Sequence, residues 1–120
     1  MIAEIISIGD ELTSGQRLDT NSQWLSQRLG DMGIRTVFHT TVADDLEANI
    51  HVFQQAATRA DLIISTGGLG PTADDLTRSA VATAFDKALI FVEDSLTHII
   101  EIFRKRGREM PDRNRVQAEF

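Results

Sequence analysis

Hydrophobic positions along the chain alternate between short unbroken runs and stretches with helical spacing. Ile2 to Ile8 is an apolar run that ends in Gly9-Asp10, the signature of a buried strand. Residues 20–32 carry Trp24, Leu25, Leu29 and Met32 at helical intervals, with Asp19 or Thr20 as a cap and Gly33 as a stop. Ile34 to Val42 is rich in β-branched residues and predicts a second strand. Asp44 with Glu47 fits a capping box for a helix whose face is Leu46, Ile50, Phe53 and Ala57. Asp61 to Thr66 predicts a third strand that runs straight into Gly67-Gly68. A third helix is predicted from near Asp74 to Phe85, with Leu76, Ala80, Val81 and Ala84 inward. A fourth strand is predicted over Ala88–Val92. A fourth helix over 94–106 has Leu96, Ile99, Ile100 and Phe103 as its stripe and Gly107 as its stop.

Strands and helices in this order predict a mainly parallel sheet with helices on both faces, a three-layer α/β/α sandwich. Ligands of such sheets bind outside the C-terminal ends of the strands. That rule selects the segments 9–19, 43–45 and 65–75. The stretch 108–120 shows no completed element, so the expectation is a single domain over residues 1–120 that is incomplete at its C-terminal side.

Charge changes the picture of what those segments can hold. Residues 1–100 carry 14 Asp or Glu against six Lys or Arg, whereas residues 101–120 carry six Lys or Arg and four acids. An acidic body repels a phosphate backbone, so nucleic acid is not an expected partner. A small anionic ligand needs local N–H groups or a cation to overcome the same field. The chain has no cysteine, which removes disulfides, thiolate metal sites and a cysteine nucleophile. No apolar run is long enough to span a membrane, and no signal peptide is evident, so the expected location is the cytoplasm.

The strongest candidate is Thr66-Gly67-Gly68-Leu69-Gly70-Pro71-Thr72-Ala73-Asp74-Asp75-Leu76-Thr77. Gly67, Gly68 and Gly70 follow a strand and precede a helix, the layout of an anion cradle. A tight turn with Asp74 as a plain cap would account for the glycines, but capping needs only one carboxylate. Two adjacent acids beside a phosphate cradle call for a cation between them, so a divalent metal is expected, Mg²⁺ in the first instance. Its candidate ligands are Asp74, Asp75 and Asp10. A second cluster joins Gly9-Asp10-Glu11-Leu12-Thr13-Ser14-Gly15 to Asp19-Thr20-Asn21-Ser22; a third is Val42-Ala43-Asp44-Asp45. Asp75, Asp45 and Asp10 are candidate catalytic acids. Gly67, Gly68, Gly70, Thr72, Thr77, Asp19, Asn21 and Ser14 are candidate substrate contacts. His39, His51 and His98 are dispersed and lack ligand spacing. Trp24 is expected to pack rather than to stack on a base.

These pieces, in this order, resemble the N-terminal domain of the CinA-like proteins, which is similar to the molybdopterin-binding fold of MogA, MoaB and MoeA. The Thr-Gly-Gly-Leu-Gly-Pro-Thr form with Asp74-Asp75 resembles the CinA branch in particular. Asn114-Arg115-Val116-Gln117-Ala118 resembles that family's Asn-Arg-x-Gln-Ala segment, after which its domain continues. The resemblance implies a MogA/MoaB-like fold and a divalent-metal-dependent pyrophosphatase that cleaves ADP-ribose to AMP and ribose 5-phosphate. It also implies a homo-oligomer with a small nucleotide as its partner. Two alternatives remain open: a molybdopterin adenylyltransferase or related cofactor-assembly protein, and a nucleotide-binding module without catalysis.

Overall fold

A computed structural model describes residues 1–120 in full. The elements are β1 (Ile2–Ile8), the short α1 (Asp10–Thr13), α2 (Thr20–Asp31), β2 (Arg35–Val42), α3 (Leu46–Arg59), β3 (Leu62–Thr66), α4 (Thr77–Ala84), α5 (Glu93–Lys105) and a 3₁₀ turn over Asp112–Ala118. The three strands form one parallel sheet in the order β2-β1-β3. The apolar run of β1 lacks alternation because that strand is central and covered on both faces. Ile6 and Ile8 pack with Val42 of β2, Phe53 and Ala56 of α3 and Ala80 of α4. Ala3 and Ile5 pack with Leu29 of α2 on the other face. Each fully buried isoleucine here contributes about 2 kcal/mol relative to an exposed one. The result is the expected three layers: α2, the sheet, then α3 with α4.

β2 alternates exposed and half-buried residues up to Val42, as an edge strand with one open face does. One extra residue, Val37, enters its pairing with β1 between the Ala3–Thr36 and Glu4–Phe38 pairs. Glu4 is fully buried within β1. Arg59 donates to both of its carboxylate oxygens at 2.9 and 2.6 Å, and the Thr40 hydroxyl donates at 2.6 Å. The Arg59 guanidinium lies 3.9 Å from the Phe38 ring centroid. The hydrogen bonds from Arg59 outweigh the effect of burial and hold the Glu4 carboxyl below its usual range.

Several expectations need correction. The helix expected from Asp74 begins at Thr77, because the chain first closes a turn in which Asp75 N–H donates to Thr72 O at 3.1 Å. Asp74 is exposed and caps nothing. The cap of α3 is Asp45, not Asp44: Asp45 has the extended backbone that a cap requires and accepts from Ala48 N–H at 2.8 Å. Ala88–Val92 is no strand of the sheet. Asp86 adopts φ 52° and the chain turns away, so Ile90 and Phe120 exchange backbone hydrogen bonds at 3.1 Å instead. The stripes of α2 and α3 are narrower than expected. Trp24, Met32, Leu46 and Ala57 are exposed, and the buried residues are Ser22 and Leu29 on α2 and Asn49, Phe53 and Ala56 on α3. Residues 112–118 form a 3₁₀ turn that buries Asn114 and Ala118. No helix is long and apolar enough to cross a membrane.

Candidate functional site

The chain leaves β1 toward α2 on one face of the sheet and leaves the adjacent β3 toward α4 on the other. Between two such strands the outgoing segments diverge and open a crevice at their C-terminal ends. The structure has that crevice, a cavity of about 300 Å³. Its walls are Ile8, Glu11, Leu12, Arg17, Leu18, Asp19, Thr20 and Asn21 from the β1 side and Thr66 and Gly67 from the β3 side.

The glycine segment is built asymmetrically. Every carbonyl from Gly67 to Gly70 faces a donor. The Thr77 hydroxyl donates to Gly67 O at 2.7 Å, and Thr77 N–H donates to Gly68 O at 3.2 Å. Gln117 Nε2 donates to Leu69 O at 3.1 Å, and Arg78 makes longer contacts to Leu69 O and Gly70 O at 3.4 and 3.5 Å. The N–H groups of Gly67, Gly68 and Leu69, in contrast, donate to no acceptor in the protein. A run of carbonyls held back with N–H groups left open is a positive concavity of the kind that takes an anion. Two glycines are fixed by space as well as by backbone angle. Gly67 has φ +95°, and a Cβ there would lie 2.1 Å from Ile8 O. Gly68 has φ +69°, and a Cβ would lie 2.1 Å from the Thr77 hydroxyl oxygen.

The expected site residues separate into groups. Gly67, Asp19 and Asn21 do meet around the crevice. Thr72 and Asp75 line a different cavity, with Pro71, Leu89 and Glu119, and Gly70 lies against them rather than in the crevice wall. The Asp75 carboxylate accepts from Thr72 N–H at 2.9 Å and from the Thr72 hydroxyl at 2.8 Å. It lies so close to Gly70 that a Cβ there would be 2.5 Å from Asp75 Oδ2. Burial pushes the Asp75 carboxyl up, but the Thr72 and Gly70 hydrogen bonds and the charge of Arg78 hold it below its usual range. Asp75 and Thr72 therefore brace the loop, and Thr77 is buried as the pin between loop and α4. Ser14 is exposed and its hydroxyl reaches only Glu11 O at 3.4 Å.

Asp19 also has a task within the fold. Its carboxylate caps α2 through Ser22 N–H at 3.0 Å and accepts from the Ser7 and Ser22 hydroxyls, each at 2.6 Å. Burial raises its carboxyl, and these donors more than reverse that. At the neighbouring junction, Asp44 N–H donates to Asp10 Oδ1 at 2.9 Å and Asp10 N–H donates to Asp44 Oδ2 at 3.2 Å. This reciprocal pair brings two acidic side chains to the ends of β1 and β2. Buried Asn49 fastens the same segment by donating to Ala43 O and Asp45 O at 2.8 and 2.7 Å. No three His, Asp or Glu side chains converge as a metal-holding set, so Asp10, Asp74 and Asp75 are not brought together. The hard oxygens of Asp10 and Asp44 suit a divalent cation that completes its coordination with ligand oxygens and water, not one caged by protein alone.

Arg17, Arg78 and Gln117 were not singled out as site residues from sequence. Arg17 could have been, as the one cation in an acidic stretch between strand and helix. Gln117 acts on Leu69 from 48 residues away, and its only sequence signal is the Asn-Arg-x-Gln-Ala segment.

The sequence family described as "Probable molybdopterin binding domain" matches residues 4–111. A CinA-like protein of Dictyoglomus thermophilum is 48% identical over 118 residues, which is 98% of this chain and 29% of that relative's length. The crystal structure of the protein CinA, of unknown function, from Thermoplasma acidophilum is 30% identical with a TM-score of 0.88, covering 99% of this chain and 69% of that one. The molybdopterin biosynthesis enzyme MoaB of Thermus thermophilus is similar in fold, with 23% identity, a TM-score of 0.67 and coverage of 93% and 68%.

Proposed function

The chain belongs to the molybdopterin-binding-domain family, among its CinA-like members, and from that premise we propose that it binds the diphosphate of a nucleotide such as ADP-ribose and hydrolyses it in the cytoplasm. The observation that carries this reading is the polarised glycine loop: three consecutive open N–H groups that start at Gly67, in the wall of a crevice at the end of a parallel sheet. In this role the Gly67–Leu69 N–H groups hold the diphosphate oxygens, and Arg17 adds positive charge at the crevice wall. Asp75, Thr72, Thr77, Arg78 and Gln117 are positioning residues that keep the loop's carbonyls turned away. Thr20 and Asn21 face the ribose side.

A divalent cation such as Mg²⁺ supplies, when bound, neutralisation of the phosphate charge and a more acidic water. Asp10 and Asp44 would hold it. The reaction forms a bond from water oxygen to phosphorus and breaks the bridging P–O bond. The departing phosphate keeps the bonding electrons, and the water proton is released, so the products are AMP and ribose 5-phosphate. The test is turnover of ADP-ribose with Mg²⁺, Mn²⁺ and Co²⁺ in turn. AMP release that Asp10→Asn abolishes without loss of folded protein is the expected result. Tight binding without AMP in any metal would leave a binding module; no binding would overturn the reading. The family's own description favours a second ligand class, a phosphorylated pterin. Competition of molybdopterin against ADP-ribose separates the two.

A further inference from the structure

Trp24 is the chain's one tryptophan, and it is not packed. It stands on α2 one turn beyond Thr20 and Asn21 with 60% of its surface exposed. A cavity of about 460 Å³ opens there, lined by Thr20, Asn21, Gln23, Trp24 and Gln27. Thr20 and Asn21 are also walls of the crevice between β1 and β3, so the two cavities meet at the first turn of α2. Side chains on a helix lean toward its N-terminus, which carries the indole over residues 20 and 21 and toward the crevice. Arg28, one turn further along, lies 5.9 Å from the ring centroid and is paired with Asp31 at 3.1 Å.

Resting on the diphosphate reading above, we propose that Trp24 is the nucleobase platform of this site. The diphosphate sits on the glycine loop, the ribose spans Thr20 and Asn21, and the base stacks on the indole with the Gln23 and Gln27 amides at its edge. The lining selects this occupant. An apolar partner would leave three amides unmatched, and an anion would find only Arg28, already paired with Asp31. A flat neutral heterocycle uses the ring face for stacking and the amides for both donor and acceptor positions on its edge.

Because Trp24 is alone, the chain's tryptophan emission reports this position directly. At fixed Mg²⁺, ADP is expected to quench that emission saturably, while inorganic pyrophosphate binds by calorimetry without quenching. Trp24→Ala should weaken ADP about tenfold and leave pyrophosphate affinity unchanged. Trp24→Phe should restore most of the loss. The exposed position makes both variants foldable. Pyrophosphate binding with ADP no tighter, or equal loss of both ligands in Trp24→Ala, would overturn the platform while sparing the diphosphate site. So would a Trp24→Ala protein with unaltered ADP affinity that sediments as a smaller species, which would make Trp24 a contact between copies. Failure of both ligands to bind would overturn the diphosphate reading and this one with it.

Discussion

Residues 9–19 leave β1 and residues 67–70 leave β3, two neighbouring parallel strands, and their side-chain partners engage different backbone groups. On the β1 side acids close the structure: Asp19 gathers Ser22 N–H and the hydroxyls of Ser7 and Ser22, and Asp10 exchanges hydrogen bonds with Asp44. On the β3 side the side chains of Thr77, Gln117 and Arg78 take up carbonyls only, and three consecutive N–H groups stay open. A polar group already satisfied holds the fold; one left open is free to bind. The β1 wall is thus fastened by carboxylates, while the glycine segment keeps three consecutive N–H groups receptive.

The largest break in this contrast is Gly67→Ala. With φ +95° and Ile8 O 2.1 Å from the added Cβ, it should cost ~3 kcal/mol in urea denaturation and abolish diphosphate binding. Gly15→Ala is the matching change on the fastened side: φ is +81° but nothing lies within 4 Å, so about 1 kcal/mol is expected with binding intact. Equal effects of the two would erase the distinction drawn between the segments.

Asp19→Ala comes next. It removes a cap and the shared acceptor of two hydroxyls, which keep only their contact with each other at 2.7 Å, for a loss of about 2 kcal/mol by thermal melting. Its pH dependence has a definite sign. Asp19, Glu4 and Asp75 all have folded-state carboxyl values below their usual range. Their stabilisation is therefore complete at neutral pH and is lost as pH falls from about 4 through the lowered values. Asp19→Asn should flatten its share of that acid limb in denaturation series between pH 6 and 2. A limb as steep as in the unaltered protein would mean that Asp19 is not a source of it.

Gln117→Ala should cost about 1 kcal/mol and weaken pyrophosphate by a few-fold in calorimetry, because Leu69 O loses its best donor. The smallest effect belongs to Ser14→Ala. Its hydroxyl is exposed and bonded only at 3.4 Å within its own turn. Stability within ~0.5 kcal/mol and unchanged turnover are expected, and a tenfold loss of activity would restore Ser14 to the substrate site.

Much of the fold was legible because burial leaves a local mark. An unbroken apolar run such as Ile2–Ile8 is what a strand covered on both faces requires, and residue type and position narrowed the cap of α2 to Asp19 or Thr20, of which the structure uses Asp19. The glycine segment was legible as a tight strand-to-helix turn, because only glycine tolerates those angles so near a neighbouring strand. What escaped was decided by geometry that neighbouring residues do not encode. Asp44 and Asp45 are equally good caps on paper, and one residue's backbone angles chose between them. The Asp74-Asp75 pair reads as a ligand set, but Thr72 draws the Asp75 carboxylate back into its own turn. Ala88–Val92 has strand-forming residues, yet its partner is the stretch around Ala118–Phe120 and not β3.

The central position of β1 also bears on how the chain folds. β1 precedes both of its partner strands, so during collapse its Ile-rich run has no local sequence to pair with, and parallel pairing waits on distant segments. Such a run, short, β-prone and low in charge, is the kind that joins copies edge to edge. Glu4 interrupts it. In the native sheet the Glu4 carboxylate is gripped by Arg59 and Thr40; before those partners arrive, the same charge sits bare among isoleucines and keeps one unfolded chain from adding to the next. A residue that anchors the finished sheet thereby also guards against its misassembly.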